Sequence, residues 1–203
     1  MSKCVIVCGY KPQILENYED VFLIGVDKGA SFLALNNVKM DFAIGDFDSV
    51  NDNELEKIKE FSKEFIKLNP IKDDTDLEHA LKFVKEKGYK EIDVYGCLGG
   101  RQDHNLLNLK LLYLSDLKIT YYDQKHKIFM LSKGTHKIYK ENYKYLSLFV
   151  FKDCTLSLSG TYYPIGKTTL TFNDNYTTSN EILNEYCSMD IFDGKVLIIQ
   201  CND

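Results

Sequence analysis

A change of hydrophobic period near residue 124 limits the folds open to this chain. Up to that point short β-branched or aromatic runs alternate with segments of helical period, the pattern of a parallel sheet with crossover helices. Strands are expected at Cys4–Cys8, Val21–Val26, Phe42–Ile44, Glu64–Leu68, Ile92–Tyr95 and Lys118–Tyr122. Between them, Leu77, Ala80, Leu81 and Val84 keep i, i+3, i+4, i+7 spacing, Asn105 to Leu114 is leucine-rich with a broad apolar face, and Leu55, Ile58 and Phe61 mark a shorter helix. Beyond residue 124 the helical period disappears. Ser, Thr and Tyr alternate with apolar residues, as in Leu156-Ser157-Leu158 and Thr169-Leu170-Thr171-Phe172, which reads as antiparallel β. Turn signals at Lys133-Gly134, Ser159-Gly160, Pro164 to Gly166, Asn173 to Asn175 and Asp193-Gly194 cut that half into short strands of a sandwich. The fold class is therefore α/β: a parallel-sheet, three-layer α/β domain over 1–124, then an antiparallel β-sandwich over 125–203.

Composition excludes several functions. The 203 residues are 44% hydrophobic and 27% charged, and 25 Lys and Arg against 30 Asp and Glu give a net charge of −5. Such a chain folds as an ordinary globular protein, and its charge disfavours general binding to nucleic acid or anionic membrane. Its longest apolar stretches, such as Cys4 to Cys8, fall far short of the roughly 18 residues of a membrane span and of a secretory signal core, so a cytoplasmic location is expected. Six cysteines without a C-x-x-C pair then read as reduced, buried thiols, and Asn175-Tyr176-Thr177 as a polar loop rather than a glycosylation site.

The unusual polar chemistry falls where strands end and helices begin, the edge at which open parallel sheets bind ligands. The first group is Gly45-Asp46-Phe47-Asp48-Ser49. In an extended chain Asp46 and Asp48 project to one side, about 6–7 Å apart at a rise of roughly 3.3 Å per residue, and could hold a hard cation through oxygen ligands. The alternative is an acidic turn followed by an Asp or Ser N-cap for the helix starting near Asn51. The second group is Lys72-Asp73-Asp74-Thr75-Asp76-Leu77-Glu78, where Thr75 and Glu78 form a capping box and Asp76 enters the first turn. Three acids in four residues exceed what capping requires. If they face Asp46 and Asp48, each like-charged pair at about 5 Å costs on the order of 3 kcal/mol at an effective dielectric of about 20, which a divalent cation could offset. Asp27, in Val26-Asp27-Lys28-Gly29-Ala30, ends another strand and could join them.

The third group is Gly96-Cys97-Leu98-Gly99-Gly100-Arg101-Gln102-Asp103-His104-Asn105. Its glycines let backbone approach a ligand, a helix N-terminus follows, and Arg101 can donate twice to a phosphate. The dinucleotide G-x-G-x-x-G and the Walker A pattern are both absent, and Gly166-Lys167-Thr168 reads as a β-turn. His104 is either a proton carrier or phosphate donor, or a surface residue in a first helical turn. No Ser/His/Asp or Cys/His set supports covalent catalysis. Together these groups suggest a Mg²⁺-dependent enzyme acting on a nucleoside polyphosphate, by transfer or by hydrolysis.

The order of five fragments resembles the thiamine pyrophosphokinase family: V-D-K-G-A at 26–30, I-G-D-F-D-S-V at 44–50, K-D-D-T-D at 72–76, G-G-R-Q-D-H-N at 99–105 and T-S-N-E at 178–181. The resemblance implies a nucleotide-binding catalytic domain over 1–124 and a thiamine-binding, dimerising β-sandwich over 125–203. It also implies a homodimer that transfers pyrophosphate from ATP to the hydroxyl of thiamine and releases AMP. Carried over by motif, Asp27, Asp46, Asp48 and Asp76 would bind Mg²⁺, and Gly99, Gly100 and Arg101 the ATP phosphates. Asp103 would lie beside the reacting groups with the acids Asp46, Asp48 and Asp76, and Ser179 and Asn180 would contact thiamine. Lys28 stands where many relatives have Gly and would bring an added donor to the phosphates. The chain has no Trp, so the ring partner of thiamine would be Tyr or Phe, with Tyr162, Tyr163 and Tyr176 near the right segments. The competing readings are another Mg²⁺-dependent nucleotide-using transferase, such as a D-x-D glycosyltransferase, a nucleotide hydrolase, or a nucleotide-sensing module without turnover.

Overall fold

The computed structural model describes residues 3–12, 21–71 and 73–203, and the chain divides into two compact units, 1–124 and 125–203. Among the described residues the first unit carries β1 (Lys3–Val7), β2 (Val21–Val26), α1 (Lys28–Leu35), β3 (Met40–Gly45), α2 (Asp52–Phe61), β4 (Ser62–Lys67), α3 (Asp76–Glu86), β5 (Glu91–Tyr95), α4 (Gln102–Leu114) and β6 (Lys118–Tyr122). Its strands pair in parallel in the order β6-β5-β1-β2-β3-β4.

Side chains that alternate along these strands serve opposite faces of the sheet. Val5, Val7, Leu23 and Ala43 pack with Ala30, Leu33 and Ala34 of α1 and Ile58 of α2. On the other side Phe42 meets Phe83 of α3 with ring centroids 4.7 Å apart, and Phe22 stacks on Tyr89 at 4.7 Å. Both faces are thus covered, giving the three layers of an α/β domain. Successive connections from β1 run toward β4, whereas β5 and β6 lie on the other side of β1. The connection order therefore reverses between β1 and β5, the switch point where open α/β sheets leave a crevice.

The second unit carries β7 (His126–Tyr139), β8 (Tyr145–Phe149), β9 (Cys154–Ser159), β10 (Ile165–Leu170) and β11 (Tyr186–Cys201). All its ladders are antiparallel. Lys133-Gly134 and Asp193-Gly194, expected as turns, lie inside the long strands β7 and β11. The register jumps there from Ile191↔Gly134 to Lys195↔Ser132, so β11 carries two extra residues. Such a bulge bends the strand, and β11 pairs β9 before it and β8 after it. One strand thereby serves both layers of the sandwich, around a core that includes Leu148, Leu156, Met189, Val196 and Ile198. Gly194 permits the bend, since a Cβ there would lie 2.7 Å from the Asp153 carbonyl oxygen, and its φ is +86°.

Local signals account for the helix starts. Asn51 caps α2 in a reciprocal box with Glu54. At α3 Thr75 accepts from the Glu78 amide at 3.3 Å, but the reciprocal half of the expected box is not made; the Glu78 carboxylate pairs with Lys82 at 2.9 Å. The leucine-rich α4 buries only Asn108 and Leu112 fully, and Leu106 and Leu114 are 66% and 59% exposed. Helix α1 abuts the sheet through Gly29, where a Cβ would meet the Val7 carbonyl oxygen at 2.0 Å. Gly29→Ala should therefore cost about 3 kcal/mol, the upper end of overpacking penalties, read as a lower urea midpoint; an unchanged midpoint would contradict this packing.

Candidate active site

Four strand ends of the first unit supply the site. At the end of β2, Asp27 adopts φ 48°, ψ −118° as the first residue before α1, with no side-chain cap bond. Its amide donates to the Ile44 carbonyl at 2.9 Å, which ties it to the end of β3. The side chain is divided in function: Oδ2 accepts from the Ser49 hydroxyl at 3.0 Å, whereas Oδ1 is buried with no hydrogen-bond partner. Ser49 was not foreseen as a partner of Asp27; the sequence offered it only as part of the acidic turn or as a helix cap, a place that Asn51 takes instead.

The segment after β3 is not extended. Phe47 has φ +57° and turns inward, 5% exposed and stacked on Phe65 at 4.7 Å. That kink replaces the straight-strand spacing expected for Asp46 and Asp48, and the Asp48 amide donates back to Asp46 Oδ1 at 3.2 Å. The outcome still favours chelation: carboxylate oxygens of Asp27, Asp46 and Asp48 all lie within 4.8 Å of one another. Asp76 opens α3 and is not one of that trio. Its charge nevertheless reaches Asp27, whose carboxyl is raised above the ordinary aspartate range first by burial and further by Asp76 and Asp46, against the lowering bonds from Ser49 and the Lys28 amide. Asp76 and Asp27 likewise follow burial in pushing the Cys8 thiol up to about 12. Asp74 is held by Lys82 at 3.3 Å and His79 at 3.4 Å, and Lys72 lies outside the described residues. Lys28, the first residue of α1, is exposed, and its Cβ sits where a Cβ on Gly9 would be, 2.5 Å away.

These oxygens suit a hard divalent cation: the donors are carboxylates, and one of them, Asp27 Oδ1, is buried with no hydrogen-bond partner.

At the switch point the loop after β5 turns on Gly96, Gly99 and Gly100, with φ of +69°, +108° and +65°. Tyr10, past the end of β1, covers it: a Cβ on Gly99 would lie 1.8 Å from the Tyr10 ring. Tyr10 was missed because a single tyrosine after a strand carries no sequence signal. The Gly99 amide donates to Asn105 Oδ1 at 2.7 Å, and Asn108 Nδ2, inside α4, donates to the Cys97 carbonyl at 2.6 Å. The loop is thus held from within. Arg101 grips Asp103 through Nε at 3.2 Å and Nη2 at 2.6 Å, and the guanidinium bonds hold the exposed Asp103 carboxyl down to about 2. His104 stays exposed in the first turn of α4.

The second unit has its own concavity, of about 450 Å³, lined among others by Leu148, Tyr163, Lys167, Tyr176, Thr178 and Asn180. Tyr163 and Tyr176 line it; Tyr162 packs edge-on against Tyr163 at 4.9 Å. Ser179 has φ +57° and its amide donates to Ser147 Oγ at 3.0 Å.

A parallel sheet with an acid trio and a glycine-turned helix start at its carboxyl edge is the framework of a nucleotide-using α/β transferase. Known proteins agree. Residues 15–130 match the profile described as the thiamin pyrophosphokinase catalytic domain, and residues 135–191 that of its vitamin B1 binding domain. A thiamine pyrophosphokinase from Bacillus subtilis (strain 168) is 32% identical over 91% of this chain and 89% of its own. The crystal structure of thiamine pyrophosphokinase from Bacillus subtilis superposes with TM-score 0.90 at 31% identity over 99% of both chains. That of an Enterococcus faecalis thiamin pyrophosphokinase family protein does so with 0.89 at 26% over 100% of both. The chain belongs to the thiamine pyrophosphokinase family, and is a transferase of the kinase type.

The raised Asp27 carboxyl has a stability consequence. An acid whose folded pKa exceeds its unfolded value stabilises the fold below the unfolded pKa and loses that contribution as pH rises through the folded one. In metal-free protein Asp27→Asn should therefore melt higher than wild type at pH 7–8, and the gap should close below about pH 4, near the unfolded aspartate pKa. A variant that melts lower at neutral pH would show that Asp27 is not strained by its charge.

Proposed function

We propose that the chain transfers the pyrophosphoryl group of ATP to the hydroxyl of thiamine, giving thiamine diphosphate and AMP. The observation that carries the reading is the oxygen trio of Asp27, Asp46 and Asp48 within 4.8 Å, in a chain whose two segments match the catalytic and vitamin B1 binding profiles. Asp27, Asp46 and Asp48 would hold Mg²⁺, with Asp76 contributing from the start of α3. Bound there, the ion supplies neutralisation of triphosphate charge and orientation of the phosphoryl centre.

The chain's own groups do the rest. Gly99 and Gly100 admit the phosphates by lacking side chains, Arg101 donates its planar fork to phosphate oxygens, and Lys28 adds an ammonium from the start of α1. Arg101 exchanges Asp103 for phosphate, which leaves Asp103 beside the reacting groups. A carboxylate of the set Asp46, Asp48, Asp76 and Asp103 accepts the hydroxyl proton. In the second unit the cavity of Tyr163 and Tyr176 takes the thiamine rings, with Ser179 and Asn180 on its T-S-N-E segment. Positioning and electrostatics supply most of the acceleration in such a displacement. Six free cysteines support a cytoplasmic enzyme, and the exposed Leu106, Phe172 and Leu183, at 66%, 75% and 56%, support a homodimer.

Incubation with ATP, Mg²⁺ and thiamine should produce AMP only when thiamine is present. ADP, or release independent of thiamine, would point to a different transferase or a hydrolase. Asp46→Asn or Asp48→Asn should lower turnover at least about a hundredfold, the scale of losing a preorganised charge-stabilising group; near-normal rates would refute the metal assignment.

A further inference from the structure

Segment 177–181 runs beside β8 and pairs with it through one isolated antiparallel bridge, Leu146↔Asn180. The Leu148 amide donates to the Thr177 carbonyl at 2.9 Å, and Leu146 and Asn180 exchange N–H···O bonds of 2.7 and 2.9 Å. The Thr177 hydroxyl adds a bond to the Leu148 carbonyl at 2.7 Å. Asn180, 6% exposed, therefore has its main chain committed to β8. Its side chain is committed elsewhere: Nδ2 donates to the Tyr163 carbonyl at 2.7 Å, and Oδ1 accepts from the Tyr163 amide at 3.0 Å. Donating to and accepting from one residue is what a peptide does in a hydrogen-bonded pair of an antiparallel ladder. Oδ1 also accepts from the Glu181 amide at 2.9 Å, so both lone pairs of that oxygen are in use.

We propose that Asn180 is a positioning residue: its side-chain amide stands in for a missing strand and clamps Tyr163, fixing the aromatic wall of the cavity, rather than offering its oxygen to the substrate. The inference rests on the reading that thiamine occupies that cavity. Tyr163 needs such a clamp because the residue is 65% exposed and is not held by the core. Its neighbours restrain it in part: Thr161 bridges to Ile182, the Tyr162 amide bonds the Glu181 carbonyl at 2.9 Å, the Thr161 hydroxyl reaches the Tyr163 carbonyl at 3.1 Å, and Tyr162 packs edge-on against its ring, but only Asn180 engages both its amide and its carbonyl. The left-handed Ser179 beside it turns the segment so that the Asn180 side chain faces residues 161–163 while its main chain stays on β8.

The test is a double-mutant cycle read by calorimetric titration of thiamine into the full chain, with Asn180→Ala, Tyr163→Ala and the pair. Each single change should weaken thiamine binding about tenfold, the pair should be within about twofold of the weaker single, and the KM for ATP should not move. Additive losses would place Asn180 on the substrate and overturn the clamp. Asn180→Asp gives a sign test and replaces Asn180→Ala if the latter does not fold. A carboxylate facing the Tyr163 carbonyl breaks the clamp and should weaken binding, whereas a carboxylate touching the thiamine cation would strengthen it and overturn the proposal. If Tyr163→Ala binds thiamine normally, the cavity reading and the clamp fail together; a weakened Tyr163→Ala with an additive cycle overturns the clamp alone.

Discussion

Close approach of α1 to β1 and β2, and of β3 to the end of β2, is the constraint on which the site depends, and three glycines make it possible. A Cβ on Gly25 would lie 2.5 Å from the Ala30 Cα, one on Gly29 2.0 Å from the Val7 carbonyl oxygen, and one on Gly45 3.1 Å from the Asp27 Cα. With the backbones so near, the turn from β2 into α1 has little room. Asp27 takes an uncommon positive φ there, a conformation that persists only where the surroundings determine it. The buried rows of the sheet, including Ile6, Ile24 and Ile44 at 0% exposure, supply that determination. Phe47 completes it: by stacking on Phe65 in the core it fixes the turn from which Asp46 and Asp48 come back toward Asp27. The apolar core thus holds like charges together that solvent would separate.

Asparagine recurs at several places where backbone is held without a ladder. Asn51 caps α2, Asn105 takes the Gly99 amide, Asn108 supports the Cys97 carbonyl, and Asn180 pairs with both polar groups of Tyr163. Asn202 acts likewise, accepting from the Lys144 amide and donating to the Asn142 carbonyl. A side-chain amide has the donor and acceptor of a peptide on a short stem. It can therefore satisfy backbone that curves around a ligand site, where a regular strand would fill the space needed for binding.

The architecture was legible because burial on both faces of a parallel sheet leaves continuous apolar runs, and β2 and β6 fall at the expected residues. Helix α1 was not marked individually: five of its eight residues are buried, so no polar face gives it a period. The turn signals at Lys133-Gly134 and Asp193-Gly194 were misread because glycine serves a bulge as readily as a hairpin, and only the pairing partner distinguishes them. In the site, residue types revealed the acids and the glycine loop. Convergence could not be read, since it follows from strand order and from the φ of Phe47. Tyr10 and Ser49 act through contacts with segments remote in sequence, which leave no local pattern.

Along the sheet edge the acid trio and the one arginine stand at different strand ends. At the ends of β2 and β3 stand Asp27, Asp46 and Asp48, a trio that repels a bare polyphosphate. After β5 the one arginine is occupied by Asp103, an exposed pair that contributes little to stability but holds the guanidinium fork in one orientation. A triphosphate alone would meet the like charge of the acids, and a cation alone would leave Arg101 where it is. Together they satisfy both ends: the cation offsets the acids, and phosphate oxygens can replace the singly charged carboxylate on Arg101 with a bidentate partner of greater charge. On the proposed function this separation favours the metal–nucleotide complex over either component, and it leaves the cavity of the second unit, where Tyr163 and Tyr176 offer aromatic faces beside Lys167, as the place for a flat organic cation.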